Sequence, residues 1–475
     1  MSAVVIRRAE LSKGAEADVL LRGGFVADIG HGLDGTGAEV IDAGGAALVP
    51  GLTDHHLHLH AMAAQAASIR CGPPSVHSET DLTVALGQAD ADGSGWIRGV
   101  GYIETVAGEL DSSGLDRMHG ARPVRIQHRS GALWMLNSLA AEAVGLSSGV
   151  VHPGIERSPD GTPTGRLWRA DDWLRERLPD NGPPDLTDVG RLLLAYGITA
   201  VTDATPDLSP SSQRAILDAV DSGTVPQRVH LLGSPLDGPT TDRVTVGPYK
   251  IVLADSDPPD LDELAGLIDR LHRMGRPFAA HCVSRENFVI LLAALDQVGT
   301  LAGDRVEHGA LIPADSITEV RRHGLTVVTQ PGFLADRGDD YLRDVDPRDV
   351  GDLYRCRSLV DAGVPLALSS DAPYGPLDPW ADMRTAMYRR TASGAVVGPD
   401  ETLSAEHAFA RYLTSVDDPG GPARTVRVGE PADVVLLHAP LTEVLRNPTA
   451  DAVRLTLTGQ APDGRTSSTS PHSNA

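Results

Sequence analysis

The stretch that decides the fold is Pro50-Gly51-Leu52-Thr53-Asp54-His55-His56-Leu57-His58-Leu59-His60. It follows an apolar run, and we predict a strand over Ala47–His60. Side chains on a strand alternate between its two faces, so His56 and His58 point to the same side. Two imidazoles on one face at the end of a buried strand can form half of a metal site. A chance histidine-rich surface loop is the alternative, but the preceding apolar strand and the Pro-Gly turn favour metal binding.

The segments that follow alternate between strand and helix patterns. Helical runs such as Asp260–Met274, Arg285–Val298 and Asp315–His323 separate apolar strands, which predicts parallel βαβ units. With Ala47–His60, eight strands are predicted, and the other seven are Ile198–Thr205, Arg228–Ser234, Tyr249–Ala254, Phe278–Val283, Arg305–Leu311, Thr326–Gln330 and Pro365–Asp371. The predicted fold class is therefore α/β, with a (β/α)8 TIM barrel.

Both chain ends read as short strands separated by turn residues. We predict that residues 1–52 and 423–461 together form a small composite β-sandwich domain, and that residues 53–422 form the barrel. Residues 61–194 are far longer than a simple crossover between strands, so they are predicted to form a large, cap-like insertion after the first strand. The segment 462–475 is rich in Ser, Thr, Pro and Asn and is predicted to be disordered.

Composition narrows the class of protein. The chain has 475 residues and a formal net charge of −23, a field that disfavours nucleic acid and anionic membranes as partners. No stretch approaches the roughly 20 apolar residues of a membrane helix. Three widely separated cysteines fit a reducing compartment, so we expect a cytoplasmic protein. The expected partner is a small-molecule substrate, and a homo-oligomer stays possible.

Polar residues that can bind a metal end several of the predicted strands. In a TIM barrel the strand ends converge on one face, so Lys250, His281, His308 and Asp371 would meet the histidine pair there. Imidazole and carboxylate ligands suit zinc better than manganese or iron. Taken singly, each residue has a plainer explanation: a histidine satisfied in the core, a helix-capping Asp371, or a Lys250 that reaches the surface. The chain has only two lysines, which makes one inside an apolar strand notable.

The order HxH, Lys, His, His, Asp on successive strands resembles the amidohydrolase superfamily. The resemblance is strongest to the YtcJ-like branch, which includes N-substituted formamide deformylases. It runs from about Val49 to Leu437. The segments that carry it, besides the first strand, are Trp96–Gly101, Arg122–Val124 with Asn137-Ser138, Tyr196–Asp203, Arg305–His308, Gln330-Pro331, Ser370–Pro373 and Val428–Leu436.

The resemblance implies a set of ligands and a mechanism. His56, His58 and Asp371 would bind the more buried metal, and His281 and His308 a second. The site would hold one or two divalent ions per chain, with Zn²⁺ favoured. Lys250, as a carbamate made with CO₂, would bridge the two ions. Asp371 would be the catalytic base that takes a proton from water and delivers it to the leaving nitrogen. The implied reaction is hydrolysis of the C–N bond of an amide, formamide or cyclic imide.

The pocket departs from the family pattern. Arg129-Ser130-Gly131-Ala132 stands where relatives usually carry a histidine, and Ser284-Arg285 stands where they often carry Gly-Asp. The segment after Lys250 is also altered, so the deformylase substrate is not transferred. The residues that could face the substrate are His128, Arg129, Arg166, Trp168, Arg285, Gln330 and Tyr374. Arg129 and Arg285 could bind a carboxylate, since guanidinium suits bidentate contact, or could be surface arginines.

Two other functions remain open at this point. A mononuclear deaminase of an aminated heterocycle would use His56, His58, His281 and Asp371 around one metal, with His308 behind them. Lys250 argues against it, because such deaminases need no lysine there. A non-catalytic metal-binding barrel is the second alternative, and the complete ligand set argues against it.

Overall fold

A computed structural model describes residues 3–12, 14–146, 149–179, 182–255, 258–459 and 466–467. The chain divides into two compact units. The first consists of Met1–Leu59 and Leu186–Ala475, and the second of His60–Asp185. Among the described residues, no helix is both long and apolar enough to cross a bilayer.

Two parallel sheets form the centre of the first unit, and their strands follow chain order. One sheet contains Leu52–Leu57, Ile198–Asp203, Arg228–Leu231 and Val244–Val246, and the other contains Tyr249–Val252, Phe278–Cys282, Arg305–His308, Thr326–Thr329 and Leu366–Leu368. Backbone hydrogen bonds link the two sheets on both sides. The amide of Asp371 donates to the carbonyl of His56 at 2.8 Å, and the amide of Lys250 donates to the carbonyl of Leu232 at 3.4 Å.

The predicted strand Ala47–His60 is broken in two. Leu48–Pro50 pairs antiparallel with Val434–Leu437, whereas Leu52–Leu57 pairs parallel with Ile198–Asp203. The break falls at Gly51, where a Cβ would lie 2.1 Å from Thr199 Oγ1, so only glycine allows the two strands to pass so closely. The chain therefore changes sheets at the Pro-Gly pair, and it ends the second strand at Leu57, one residue before His58.

Helices connect the parallel strands. Leu261–Arg273 begins after Asp260, whose side chain accepts from two amides of the first turn, and it ends before Gly275, which has a φ of 70°. The helices of this unit are Thr187–Ala195, Pro210–Asp221, Leu261–Arg273, Arg285–Val298, Ile317–Arg322, Gly332–Asp344, Arg357–Asp361, Pro379–Tyr388, Ala405–Ala410 and Leu441–Val444. Among the described residues of this unit, 3₁₀ turns lie at Ala314–Ser316, Val350–Asp352, Pro399–Glu401 and Ala450–Ala452.

Residues from both chain ends form two further sheets. The first is built from Val4–Ser12, Ala15–Arg22, Phe25–Gly30 and Glu39–Asp42, and the second from Leu48–Pro50, Val434–Leu437, Val453–Leu457 and Thr466–Ser467. Buried side chains of both sheets, such as Ile6, Leu21, Leu48 and Leu436, belong to one apolar cluster. Apart from the backbone of 466–467, the predicted tail 462–475 lies outside the described residues.

The second unit has its own sheet and its own core. A six-stranded sheet contains Ile69–Arg70, Ile97–Tyr102, Val124–His128, Leu133–Leu136, Ile155–Arg157 and Pro163–Trp168. Its helices are Glu79–Gln88, Glu104–Ala107, Ser112–Met118, Ser138–Ala143 and Asp171–Arg175, and the helix Leu59–Ala66 leads into the unit. Tyr102, Ile126 and Met135 are fully buried in its core. The segment therefore packs around an apolar core of its own.

Candidate metal centre

Three of the predicted ligands converge at the carboxyl ends of the parallel strands. His56, His58 and Asp371 bring one ligand atom each to within 4.8 Å of one another. Asp371 Oδ1 lies 3.4 Å from Nε2 of His56 and 3.2 Å from Nε2 of His58. Two imidazole nitrogens and one carboxylate oxygen therefore face a common point, and all three side chains are largely buried.

Each of three imidazoles is oriented by a hydrogen bond on its Nδ1. His56 donates to the carboxylate of Glu307, and His308 donates to the amide oxygen of Gln330 at 2.9 Å. Nδ1 of His58 lies 3.1 Å from the hydroxyl of Thr205. With Nδ1 engaged in this way, Nε2 of each ring is the nitrogen left to bind a metal.

Burial keeps two of these histidines neutral. It lowers the pKa of His56 well below its usual value, and the positive charge of Lys250 lowers that pKa further. Burial likewise lowers the pKa of His308, with neighbouring His281 and His56 adding to the effect. A neutral imidazole is the form that coordinates a cation, so the site presents these rings ready for coordination.

The remaining predicted ligands lie beside the first three. The ring of His308 is 4.7 Å from that of His56 and 4.4 Å from that of His281, measured between centroids. Lys250 is buried on the strand Tyr249–Val252. Its burial lowers its pKa to about 8, although the carboxylates of Glu307 and Asp371 act in the opposite direction.

Two of the predicted ligands have a strained backbone. His308 has a φ of 69° and Asp371 a φ of 54°, in the left-handed region that side chains other than glycine rarely adopt. His308 is the last residue of its strand, and Asp371 lies three residues beyond the end of Leu366–Leu368. Strain of this kind persists only where the surroundings fix it, and it concentrates at functional sites.

The predicted substrate-contacting residues are distributed more widely. The ring of Tyr374 lies 5.4 Å from that of His58, next to the cluster. Gln330 holds His308, and Arg285 is paired with the carboxylates of Asp349 and Asp352. The other four candidates belong to the second unit, and their role in substrate binding stays a prediction; they are His128, Arg129, Arg166 and Trp168.

Sequence reasoning missed the residues that hold the ligands in place. Glu307 is fully buried and contacts His56 from a strand 251 positions away in sequence. Asp54 accepts from the amides of His56 and Ser370, which ties the first strand to the segment before Asp371. The sequence feature that could have identified Glu307 is a charged residue in an apolar strand, as in Arg305-Val306-Glu307. A buried charge requires a partner of opposite charge or a hydrogen bond.

The donor set fits a divalent cation. Nε2 of His56 and Oδ1 of Asp371 are buried, and among the described residues neither has a hydrogen-bond partner. Buried polar atoms are nearly always satisfied, so a convergent pair without a partner indicates that something else occupies the space between them. Imidazole nitrogen and carboxylate oxygen at this spacing are ligands suited to zinc.

Comparisons with known proteins agree with this geometry. The amidohydrolase family model matches residues 39–459. N-substituted formamide deformylase from Arthrobacter pascens is 25% identical over 498 residues, covering 91% of this chain and 92% of that protein. YtcJ of Bacillus subtilis strain 168 is 24% identical, covering 79% of this chain and 80% of its own. An uncharacterized metal-dependent hydrolase from Pyrococcus horikoshii OT3 superposes with a TM-score of 0.74 at 18% identity, covering 95% of this chain and 99% of that one.

The chain belongs to the amidohydrolase family, because the match spans most of its length and includes every predicted metal ligand. The predicted resemblance to this family is confirmed, and the protein is an enzyme of the amidohydrolase class. The likeness to the Pyrococcus structure extends over nearly the whole chain and supports the α/β fold.

Proposed function

We propose that the protein is a metal-dependent hydrolase of a non-peptide C–N bond in a small molecule, such as an amide, a formamide or a cyclic imide. The observation that carries this proposal is the convergence of His56, His58 and Asp371, in which His56 Nε2 and Asp371 Oδ1 have no hydrogen-bond partner among the described residues. The A. pascens relative is named for acting on formamides, which supports the C–N bond as the target. Because the predicted pocket residues depart from the family pattern, the substrate is to be identified by screening.

The metal ligands in this proposal form two groups. His56, His58 and Asp371 would hold one divalent ion, with Zn²⁺ favoured, and Lys250, His281 and His308 would hold a second. A bound ion of this kind lowers the pKa of water toward ~7 and polarises a substrate carbonyl. The protein's own part is to keep the imidazoles neutral and oriented, which their burial and Nδ1 partners support.

Asp371 is the proposed general base. Its Oδ1 lies at the centre of the histidine cluster, while its amide is held by the carbonyl of His56. A carboxylate fixed in this way can accept a proton from water and donate it to the departing nitrogen without moving its backbone. The leaving group is then released as a neutral amine or amide.

Lys250 requires a chemical change before it can bind a cation. An ammonium group has three donors and no acceptor. We infer that its neutral amine forms a bond to CO₂ and loses a proton, which converts it into a carbamate with oxygen ligands. The pKa of Lys250, lowered to about 8 by burial, favours this reaction because it increases the share of neutral amine near neutral pH.

The finer architecture is part of the same proposal. The two parallel sheets contain nine described strands in chain order, and backbone hydrogen bonds link the sheets on both sides. Eight of these strands correspond to the predicted ones and Val244–Val246 is an additional one, which supports a closed (β/α)8 barrel over residues 53–422. The apolar cluster shared by the sheets of both chain ends supports a composite β-sandwich over 1–52 and 423–461. We keep the cap role of 61–194 and a cytoplasmic location as proposals.

Metal content and activity test the proposed function together. Wild type and Lys250→Ala, purified without chelators, are analysed for metal per chain, and wild type and Asp371→Asn are screened against amides, formamides and cyclic imides. About two metals in wild type, falling in Lys250→Ala, with hydrolysis lost in Asp371→Asn, is the expected result. Equal hydrolysis by wild type and Asp371→Asn would exclude the proposed base.

A mononuclear deaminase is the second candidate. Of the described residues, only His56, His58 and Asp371 bring ligand atoms of the proposed centre within 4.8 Å of one another, which is what a single-metal site needs. About one metal per chain in both wild type and Lys250→Ala would favour this candidate. Aminated heterocycles would then replace amides in the screen, with ammonia release as the measurement.

A further inference from the structure

The three oriented histidines have chemically different partners on Nδ1. Thr205 offers His58 a hydroxyl and Gln330 offers His308 an amide oxygen, both neutral groups. Glu307 offers His56 a carboxylate. This asymmetry distinguishes one ligand of the first metal group from the other oriented imidazoles, and it calls for a physical explanation.

Glu307 is held from the opposite side by a buried cation. Its Oε1 accepts from Nε of Arg305, and its Oε2 accepts from His56, so both oxygens are engaged. Arg305 in turn lies within 3.4 Å of the carbonyl of His55 through its Nη2. Both side chains are almost completely buried, at 2% exposure for Arg305 and 0% for Glu307. The carboxylate therefore has little freedom to move.

This pair also connects strands that are not neighbours. His56 lies on Leu52–Leu57 and Glu307 on Arg305–His308, and these strands belong to different sheets. No ladder hydrogen bond sets the distance between them. The orientation of the His56 ring relative to this strand is therefore set by the side-chain contact with Glu307 and not by backbone pairing.

The charge of Arg305 gives Glu307 a second role. The guanidinium of Arg305 lies beside the strand that carries His56, with its Nη2 3.4 Å from the carbonyl of His55, so its charge is close to the proposed metal centre. Glu307 places a carboxylate between Arg305 and His56. A buried guanidinium without its carboxylate would oppose a divalent cation at this site, because charges in the interior are weakly screened.

We propose that Glu307 is a positioning residue that holds His56 in its metal-binding tautomer and neutralises Arg305, so that the first metal group binds its cation tightly. This inference rests on the proposed function, since it assumes a cation at His56, His58 and Asp371. The arrangement is the carboxylate–histidine–metal triad that strengthens an imidazole ligand. Its particular feature here is the arginine behind the carboxylate.

The charge relationship predicts opposite effects for the two partners. Glu307→Gln keeps the size and an acceptor for His56, but it leaves Arg305 without a counter-charge. We expect Zn²⁺ affinity to fall about 10- to 100-fold. Arg305→Gln leaves the carboxylate in place, so Zn²⁺ affinity should be retained or increased. The double variant Arg305→Gln/Glu307→Gln should recover part of the loss, since the opposing charge is gone.

The measurement is equilibrium Zn²⁺ binding to the metal-free protein by competition with a chelating indicator, with thermal unfolding recorded for every variant. Thr205→Val is the matched control, because it removes a neutral Nδ1 partner from His58 and should weaken binding less than Glu307→Gln. Should Glu307→Gln fail to fold, comparing Arg305→Gln with the double variant isolates the same substitution.

The possible outcomes separate the two proposals. Wild-type affinity in Glu307→Gln, or equal losses in Glu307→Gln, Arg305→Gln and Thr205→Val, overturns the role of Glu307 and leaves the proposed function standing. A metal-free wild type that binds no Zn²⁺ overturns both. A loss of Zn²⁺ affinity in Glu307→Gln together with retained or increased affinity in Arg305→Gln supports the positioning role.

Discussion

The two groups of proposed ligands differ in how complete they are before any metal binds. In the first group, His56, His58 and Asp371 already bring their ligand atoms within 4.8 Å of one another. In the second group, His281 and His308 are in ring contact, but Lys250 carries an amine that cannot bind a cation in its protonated form. Hydrogen bonds orient the ligands of the first group, whereas the proposed function requires a covalent change of Lys250 in the second.

This difference shows that two properties of a metal site are separate: the geometry of its ligands before metal binds, and the chemical form in which each ligand is present. The first group owes its geometry to long-range contacts such as Glu307 with His56. In the proposed function, the second depends on a small molecule from solution, CO₂, and on the protonation state of Lys250. A variant that changes one group therefore leaves the other as an internal reference.

The largest effect is expected at Asp371. Asp371→Asn keeps the shape of the side chain and removes its capacity to accept a proton, so kcat/KM should fall by about 10²- to 10⁴-fold. Initial rates on the best substrate of the screen give the measurement, and metal content per chain is the control. A variant that loses its metal as well as its activity would show that Asp371 acts chiefly as a ligand.

Lys250→Met should separate the two groups. The methionine fills a similar volume but cannot form a carbamate, so we expect about one metal per chain instead of two. Elemental analysis measures this, and preparation of wild type in CO₂-depleted buffer should give the same result. Unchanged metal content in both samples would contradict a carbamate ligand and make the two groups equivalent.

The stability of the metal-free protein should depend on pH through Lys250. Its pKa is about 8 in the folded chain against 10.5 in a model compound. Between these values the unfolded chain binds the proton and the folded chain does not, so stability rises with pH across this window. The rise is of the order of 3 kcal/mol at 1.36 kcal/mol per pKa unit.

Chemical denaturation from pH 7 to 10.5 measures this dependence, with Lys250→Met as the control. The stability advantage of Lys250→Met over wild type should be largest below about pH 8 and should shrink toward pH 10.5. Parallel pH profiles for the two proteins would show that Lys250 does not titrate in this window.

The smallest effect is expected at Gln330. Gln330→Leu removes the acceptor that orients His308, so the second group should bind its metal about 10-fold more weakly while the first is unaffected. Stepwise chelation, followed by metal analysis, resolves the two groups. Gln330→Glu is the matched variant, because a carboxylate acceptor at this position should strengthen the binding by His308.

Sequence patterns predicted the ligand candidates and the order of the parallel strands, because both depend on local features. Apolar runs mark the strands, and polar residues at their ends mark the site. The predicted helix Arg285–Val298 agrees with the structure in both bounds. Both kinds of pattern can be recognised without knowing which strands face each other across the fold.

The features that sequence reasoning missed depend on contacts between distant residues. The break at Gly51 follows from the approach of Thr199, and the orientation of His56 follows from Glu307. Gln330, predicted as a substrate contact, is held beside His308 by a hydrogen bond that no periodicity indicates. Alternation along one strand also could not predict the left-handed backbone of His308 and Asp371.

That left-handed backbone has a consequence for how such a protein changes over generations. At His308 and Asp371, replacement by glycine would relieve the backbone strain, while it would remove a ligand. Under the proposed function, activity therefore requires a residue other than glycine at two positions where the backbone alone would favour glycine. A lineage that no longer needed the metal centre would be free to accept glycine at either position.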